Sequence, residues 1–231
     1  MRLLMIVCGE LIVVLVLLIL LTKVFPDNPV TKAITNLVSA SPEVILDAGH
    51  GGYDSGSVYE SFYEKDITLA ITKKVGVALQ NKGVKVAYTR ESDNVSWPSD
   101  ELQDLTKRVE ISNKSNAYLF VSIHTNASEA NDAFGFEIWG KIKNEKTFAL
   151  AKHVMQRMEA ANYTQNRGIK DQDLNPLQVL ESNRLPAILI ETGFLANDQD
   201  RSYLTNELAQ QKIADAIAQG IYDELQELKK E

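Results

Sequence analysis

Three stretches carry side chains that could do chemistry. Residues 46–56 read LDAGHGGYDSG, residues 121–128 read VSIHTNAS and residues 187–194 read AILIETGF. Each sets a residue able to bind a metal or carry a proton behind a short apolar run: His50, His124 and Glu191. Two imidazoles plus one carboxylate, with a fourth position open to water, form a known catalytic zinc set. The third ligand is sought in SFYEKDITLAI, residues 61–71, where Glu64 is the candidate and Glu60 a weaker rival. Ser61-x-x-Glu64 is also a capping-box pattern, so on residue type alone Glu64 is either a ligand or a helix cap. Zinc in such a set lowers the pKa of water to about 7. A carboxylate outside the ligand set, here Glu191, would then take the proton and pass it to a leaving amine. The reaction class is amide hydrolysis.

Other chemistries fit less well. Gly49-His50-Gly51-Gly52-Tyr53-Asp54 lacks the third glycine of a dinucleotide fingerprint, and Gly51 to Gly56 is followed by Ser57-Val58 rather than Lys-Ser/Thr. The glycines read instead as a tight turn that leaves room around His50. No G-x-S-x-G occurs, and Ser122, though it would share a strand face with His124, bears no mark of a nucleophile. The third histidine, His153, falls in a segment of mixed polarity and reads as a surface residue.

Elements of alternating type must position these residues. Val44–Asp47 is a buried strand by pattern. Residues 64–81 place Ile67, Ile71, Val75, Ala78 and Leu79 at helical spacing, with Gly83 as a stop signal. Strands are expected at 84–89, 118–123, 136–139 and 187–191. Helices are expected at 100–115 (with Leu102, Leu105, Val109 and Ser112 inward), 145–161 and about 206–228. This alternation predicts an α/β domain: a twisted, mostly parallel sheet with helices on both faces. Ligands of open α/β sheets bind beyond the carboxyl ends of the strands. Residues 50, 124 and 191 are therefore expected to converge.

The totals narrow the class of protein. The chain has 231 residues, 45% hydrophobic and 24% charged, enough for one well-cored domain, and it shows no repeat at a fixed period. Its net charge is −7; Arg2, Lys23 and Glu10 leave the first 25 residues at +1, so the remainder carries −8. An acidic body of this kind argues against nucleic acid as a partner. The single cysteine, Cys8, allows neither an internal disulfide nor a cysteine-based zinc site.

Residues 3–21, LLMIVCGELIVVLVLLILL, are apolar or small except for Glu10 and match the roughly 30 Å hydrocarbon thickness of a bilayer. TKVFPDN, which follows, offers no small-x-small cleavage pattern, so a retained anchor over residues 1–25 is favoured above a cleaved signal. Residues 26–42, with Pro26, Pro29 and Pro42, read as a linker to a catalytic domain over 43–231. The basic residues flanking the span do not fix its orientation. A short tail inside and the domain outside is the expected arrangement, with the chain monomeric on the cell membrane.

The stretches VILDAGHGGYDSG, YEKDITLAI, LTKRVEISN, YLFVSIHTNAS and PAILIETGFLAND together resemble the zinc-dependent N-acetylmuramoyl-L-alanine amidases of bacterial cell-wall metabolism. The resemblance spans residues 43–225 in order. It implies one zinc ion on His50, Glu64 and His124, with Glu191 as the catalytic carboxylate. It implies a peptidoglycan substrate, cleaved between the lactyl group of N-acetylmuramic acid and the first L-alanine of the stem peptide. A membrane segment with one catalytic domain is similar to the smaller Gram-positive members, some of them spore-cortex amidases. Arg90, Arg167 and Lys170 could meet stem-peptide carboxylates or be ordinary solvated charges. Asn126 could orient substrate or cap a turn.

Two other functions compete: a catalytically silent wall-binding module, and a zinc peptidase or deacetylase on a related substrate. A silent module has no need of the proton-transferring Glu191. The ligand types favour zinc, although imidazole also suits other first-row metals.

Overall fold

Four strands that each turn a mostly apolar face to one side need that face covered, and this requirement organises the domain. The computed structural model describes Asn28, residues 41–128 and residues 132–230. The anchor expected at 1–25, and all but Asn28, Ser41 and Pro42 of the linker, lie outside the described residues. Among the described residues no helix is long and apolar enough to cross a membrane.

In chain order the elements are β1 (Val44–Ala48), β2 (Val58–Tyr59), β3 (Phe62–Tyr63), α1 (Glu64–Gln80), β4 (Val86–Tyr88), α2 (Glu101–Lys114), β5 (Leu119–Asn126) and β6 (Phe136–Gly140). Then follow α3 (Glu145–Ala161), β7 (Asn166–Asp171), a 3₁₀ turn (Gln172–Leu174), α4 (Gln178–Glu181), β8 (Ala187–Phe194), α5 (Asp198–Leu204) and α6 (Glu207–Leu228). β2 and β3 form a small antiparallel pair, and the other six strands make one sheet in the order β4-β1-β5-β8-β6-β7.

β4, β1, β5 and β8 are parallel to one another, whereas β6 runs antiparallel to β8, and β7 runs parallel to β6. The sheet is thus mostly parallel with two reversed strands. The reversal has a physical cause. A parallel return needs a crossover of about a dozen residues or more, usually a helix. The link from β5 to β6, residues 127–135, is shorter than such a crossover, so the chain turns back. α3 then supplies the crossover that makes β7 parallel to β6.

Side chains alternate across each strand, so the two faces of the sheet have separate fates. One face carries Val44, Leu46, Val121, Ile123, Ile188, Ile190, Phe136 and Ile138, buried against Ile71 and Val75 of α1, Leu150 and Val154 of α3, and Ile213 and Ile217 of α6. The other carries Ile45, Phe120 and Leu189, covered by α2 and the four-residue α4 through Leu105, Ile111, Val179 and Leu180. Leu102, expected inward on α2, is 62% exposed. α2 needs only its 105–109–112 stripe for this narrower contact, and Leu102 falls outside it.

β5 and β8 run further than their apolar stretches suggest, through Asn126 and Phe194. His124 and Glu191 therefore lie within paired strands, opposite one another in register.

Candidate metal centre

Three polypeptide segments bring the centre together. His50 follows β1 in a tight turn, with φ of 60°, and its Nδ1 bonds Asp54 Oδ2 at 2.7 Å. That contact leaves Nε2 facing Glu64 Oε1 at 3.2 Å. His124, on β5, points Nδ1 at the same oxygen, also at 3.2 Å. The two imidazole rings meet edge to face, their centroids 4.9 Å apart.

Glu64 opens α1 but does not cap it. The N-cap is Tyr63, with no side-chain cap bond, and Ser61 plays no part in one. Instead the Glu64 carboxylate accepts from two backbone N–H groups, Ser57 at 2.8 Å on Oε2 and Thr125 at 2.9 Å on Oε1. The loop entering β2 and the end of β5 thus hold it from two sides. Glu60, in the β2–β3 turn, is exposed and stands apart from the cluster.

The donor set fits a zinc ion. One coordinating atom from each of His50, Glu64 and His124 lies within 4.8 Å of the others. Two ligands of a tetrahedral ion at 2.0–2.1 Å stand about 3.3 Å apart. The two imidazole–carboxylate spacings of 3.2 Å match that edge. Glycines clear the space: a Cβ on Gly56 would come within 2.7 Å of both the His50 ring and Glu64 Oε2. One on Gly49 would overlap the His124 ring.

Electrostatics tell the same story. Burial alone would raise the Glu64 pKa, but the hydrogen bonds and charges of His124 and His50 outweigh it and hold the carboxyl well below its usual range. Burial works against a charged His50, yet Glu64 and then Asp54 push its pKa up to about 9. Without a cation the cluster therefore gathers a proton on His50, as expected of a carboxylate and two imidazoles built around positive charge.

Glu191 differs. Its Oε2 is buried and has no hydrogen-bond partner. Burial, and then the charges of Glu64 and Glu137, push its pKa well above the usual carboxylate value. It lines a cleft of about 410 Å³ together with His50, His124, Asp54, Arg108 and Leu177. A carboxyl group beside a metal-competent cluster, free of structural bonds, is suited to move a proton.

A buried polar network supports this edge of the sheet. Asp47 accepts from Thr89 Oγ1 at 2.5 Å, Ser122 Oγ at 2.6 Å and Arg108 at 2.8 Å. Ser122 is thereby occupied as a donor to Asp47. Arg108 also donates to Asp104 (2.6 Å) and to the carbonyls of Ala48 (2.7 Å) and His50 (2.6 Å), pinning the strained His50 turn from beneath. Arg90 is neither a solvated charge nor open to substrate. It is 5% exposed, and its donors reach the carbonyls of Ala48, Gly49 and Lys65 at 2.8–2.9 Å.

The other expected substrate contacts lie on the neighbouring strands. Asn126 Nδ2 donates to Glu137 at 3.0 Å and Arg167 Nε to the same carboxylate at 2.9 Å, one strand beyond Glu191. Lys170 lies half-buried on β7 opposite Trp139. His153 is half-buried rather than freely exposed, and bonds the buried Glu224 at 2.9 Å. Asp54, Arg108 and Glu137 escaped the reading of the sequence. Asp54 had a usable signal, since a carboxylate four residues past a histidine in a tight turn can reach its ring. Arg108 and Glu137 had none, because each meets the site through residues distant in sequence.

A mixed sheet with His, Glu and His at its edge and an unbonded Glu beside them has the layout of a hydrolase site with room for a metal ion. Comparison with known proteins gives the class its name. The family model for N-acetylmuramoyl-L-alanine amidase matches residues 44–223. The germination-specific N-acetylmuramoyl-L-alanine amidase of Bacillus subtilis is 33% identical over 217 residues, covering 90% of this chain and 89% of that one. The CwlD amidase of Clostridioides difficile, solved in complex with the GerS lipoprotein, superposes with a TM-score of 0.73 at 36% identity, covering 79% of this chain and 98% of that one. The catalytic domain of CwlV, an N-acetylmuramoyl-L-alanine amidase of Bacillus (Paenibacillus) polymyxa var. colistinus, gives 0.71 at 32%, covering 79% and 97%. The chain belongs to the N-acetylmuramoyl-L-alanine amidase family and is a peptidoglycan amidase.

Proposed function

We propose that the chain is a zinc-dependent amidase whose ligands are His50, Glu64 and His124 and whose proton-transfer group is Glu191. The observation that carries this reading is the convergence of the three ligand atoms within 4.8 Å beside a carboxyl oxygen that bonds nothing. When bound, zinc would supply Lewis-acid polarisation of the scissile carbonyl and a lowered pKa for water. Asp54 fixes the ring orientation of His50 through Nδ1, and the N–H groups of Ser57 and Thr125 fix Glu64. Glu191 accepts the proton of the attacking water at its unbonded oxygen and returns it to the departing alanine nitrogen. Its unbonded oxygen beside the cluster suits it to hold a proton between those steps.

The apolar stretch at 3–21 supports a place at the cell membrane, single-pass, with the catalytic domain on the extracytoplasmic side where the wall lies.

Full-length protein loaded with zinc and given intact peptidoglycan tests the reading by mass spectrometry of the products. Stem peptides with a free L-alanine amino terminus are expected, abolished by a chelator and restored by zinc. Cleavage elsewhere in the peptide, or release of acetate, would overturn the assigned bond. Wall binding without any product would make the chain a silent module.

A further inference from the structure

Arg167 is built into its place with more care than a surface charge needs. It lies at a β-bulge: Phe136 pairs with Asn166 but Ile138 pairs with Ile169, so Arg167 and Gly168 together oppose Glu137. Gly168 has φ of 87° there. Bulges are frequent beside active sites, where they re-aim a side chain. Gly135 gives the arginine stem room, since a Cβ there would come within 3.0 Å of Arg167 Cγ and Cδ. The guanidinium lies over the Phe194 ring, 5.0 Å from its centroid. Its Nε donates to Glu137 Oε2 at 2.9 Å and one terminal nitrogen donates to the Phe134 carbonyl at 3.3 Å. The other terminal nitrogen has no partner among the described residues, and the side chain is 34% exposed.

This group stands in line with the metal centre. His124, Glu191 and Glu137 are register partners across β5, β8 and β6, so they form one row on one face of the sheet. At about 4.8 Å per strand, Glu137 and the guanidinium it holds lie roughly 10 Å from His124. An extended peptide covers that in about three residues. Charge runs the same way. Asp54, Glu101 and Asp104 line the cleft on the α2 side, where Arg108 bonds Asp104, while Arg167 and Lys170 lie on β7, which ends in Asp171. Lys170 has no ion pair among the described residues.

The geometry points to Arg167 as a specificity-determining residue that binds a carboxylate of the stem peptide beyond its first alanine, presenting the free edge of a guanidinium locked by Glu137 and Phe194. An arginine held in this way loses little freedom on binding, and planar two-point recognition of a carboxylate is what a guanidinium does best. The acidic wall on the other side steers the anionic peptide toward Arg167 and leaves the neutral glycan to the α2 side. The inference rests on the amidase reading.

The test uses full-length, zinc-loaded protein and two synthetic muramyl tripeptides, one with free peptide carboxylates and one with all of them amidated. Wild type is expected to prefer the free acid by about 10–100-fold in kcat/KM, mostly through KM, because an analogue lacking the recognised group leaves the guanidinium edge unmatched. Arg167→Gln is expected to treat the two substrates alike, at the level wild type shows with the amide. Arg167→Lys should restore part of the preference. Calorimetric binding of both peptides to the Glu191→Gln variant reads the same preference without turnover, so an inactive protein would sink the amidase reading and leave this measurement standing. Equal treatment of acid and amide by wild type in both assays would overturn the assignment. So would an Arg167→Gln variant that loses activity on both substrates by one common factor, the mark of a purely structural role.

Discussion

The two faces of the sheet are made by the same strands, yet they do opposite work. On the α1–α3–α6 face, β1, β5 and β8 contribute Leu46, Val121, Ile123, Ile188 and Ile190, all fully buried in hydrocarbon. One residue away along each strand, the α2 face presents Asp47, Ser122, His124 and Glu191. Its helical cover ends with Leu105 and the short α4, so its carboxyl end stays open as the cleft. Strand periodicity separates stability from chemistry by a single residue: substitutions at odd and even positions of one strand should have unlike consequences. A slip of register by one residue would exchange the two sets outright.

The sharpest way to break this division is Glu191→Gln. It changes neither volume nor backbone, and Glu191 Oε2 makes no bond that folding requires. Loss of about 10²–10⁴ in kcat is expected, with the melting temperature and zinc content unchanged. A variant that melts early or loses its metal would show that this face also carries the fold. The counterpart on the opposite face is Ile217→Ala in α6, fully buried against the sheet. Denaturant unfolding should show a loss of about 2–5 kcal/mol, with kcat per folded molecule intact.

The division also explains what could be read without coordinates. Strand ends after apolar runs revealed His50, His124 and Glu191, because a parallel sheet gathers its carboxyl ends whatever lies between them. Glu64 was ambiguous because capping and ligation ask for the same residue at a helix start; the Ser57 and Thr125 N–H groups around it replace the cap. The reversed direction of β6 and β7 was not legible, since an apolar strand looks the same in either direction. The Glu137–Arg167 pair was hidden for the same reason. It depends on β6 lying beside β8, and on a bulge that no residue pattern announces.

Two smaller effects sharpen the comparison within the open face. Asp54→Asn removes the carboxylate that orients His50 through a 2.7 Å bond. Supporting carboxylates of this kind are worth about 10–100-fold in metal affinity. Competition with a chelator should show that full loss only above pH 9. Below it the variant also sheds part of the proton competition that Asp54 creates on His50, and the deficit narrows. A variant equal to wild type at every pH would remove Asp54 from the metal site.

The last effect is the pH dependence of metal uptake in the unaltered protein. The metal-free state holds a proton on His50 up to about pH 9, because Glu64 and Asp54 outweigh the burial that opposes it. An imidazole coordinates only when that nitrogen is unprotonated. Between neutrality and pH 9, zinc binding must therefore displace this proton, and affinity should rise about tenfold per pH unit, levelling above that. The sign for the fold is the reverse. A pKa raised on folding stabilises the metal-free protein fully below the unfolded value of about 6.5, and this contribution fades as pH climbs through 9. Raising the pH thus loosens the empty site while tightening its grip on metal. Calorimetry in buffers of different ionisation enthalpy should count close to one proton released per zinc near pH 8. A count of zero would mean that His50 stands neutral in the empty site, and that Glu64 is held in place by its backbone donors rather than by the histidine beside it.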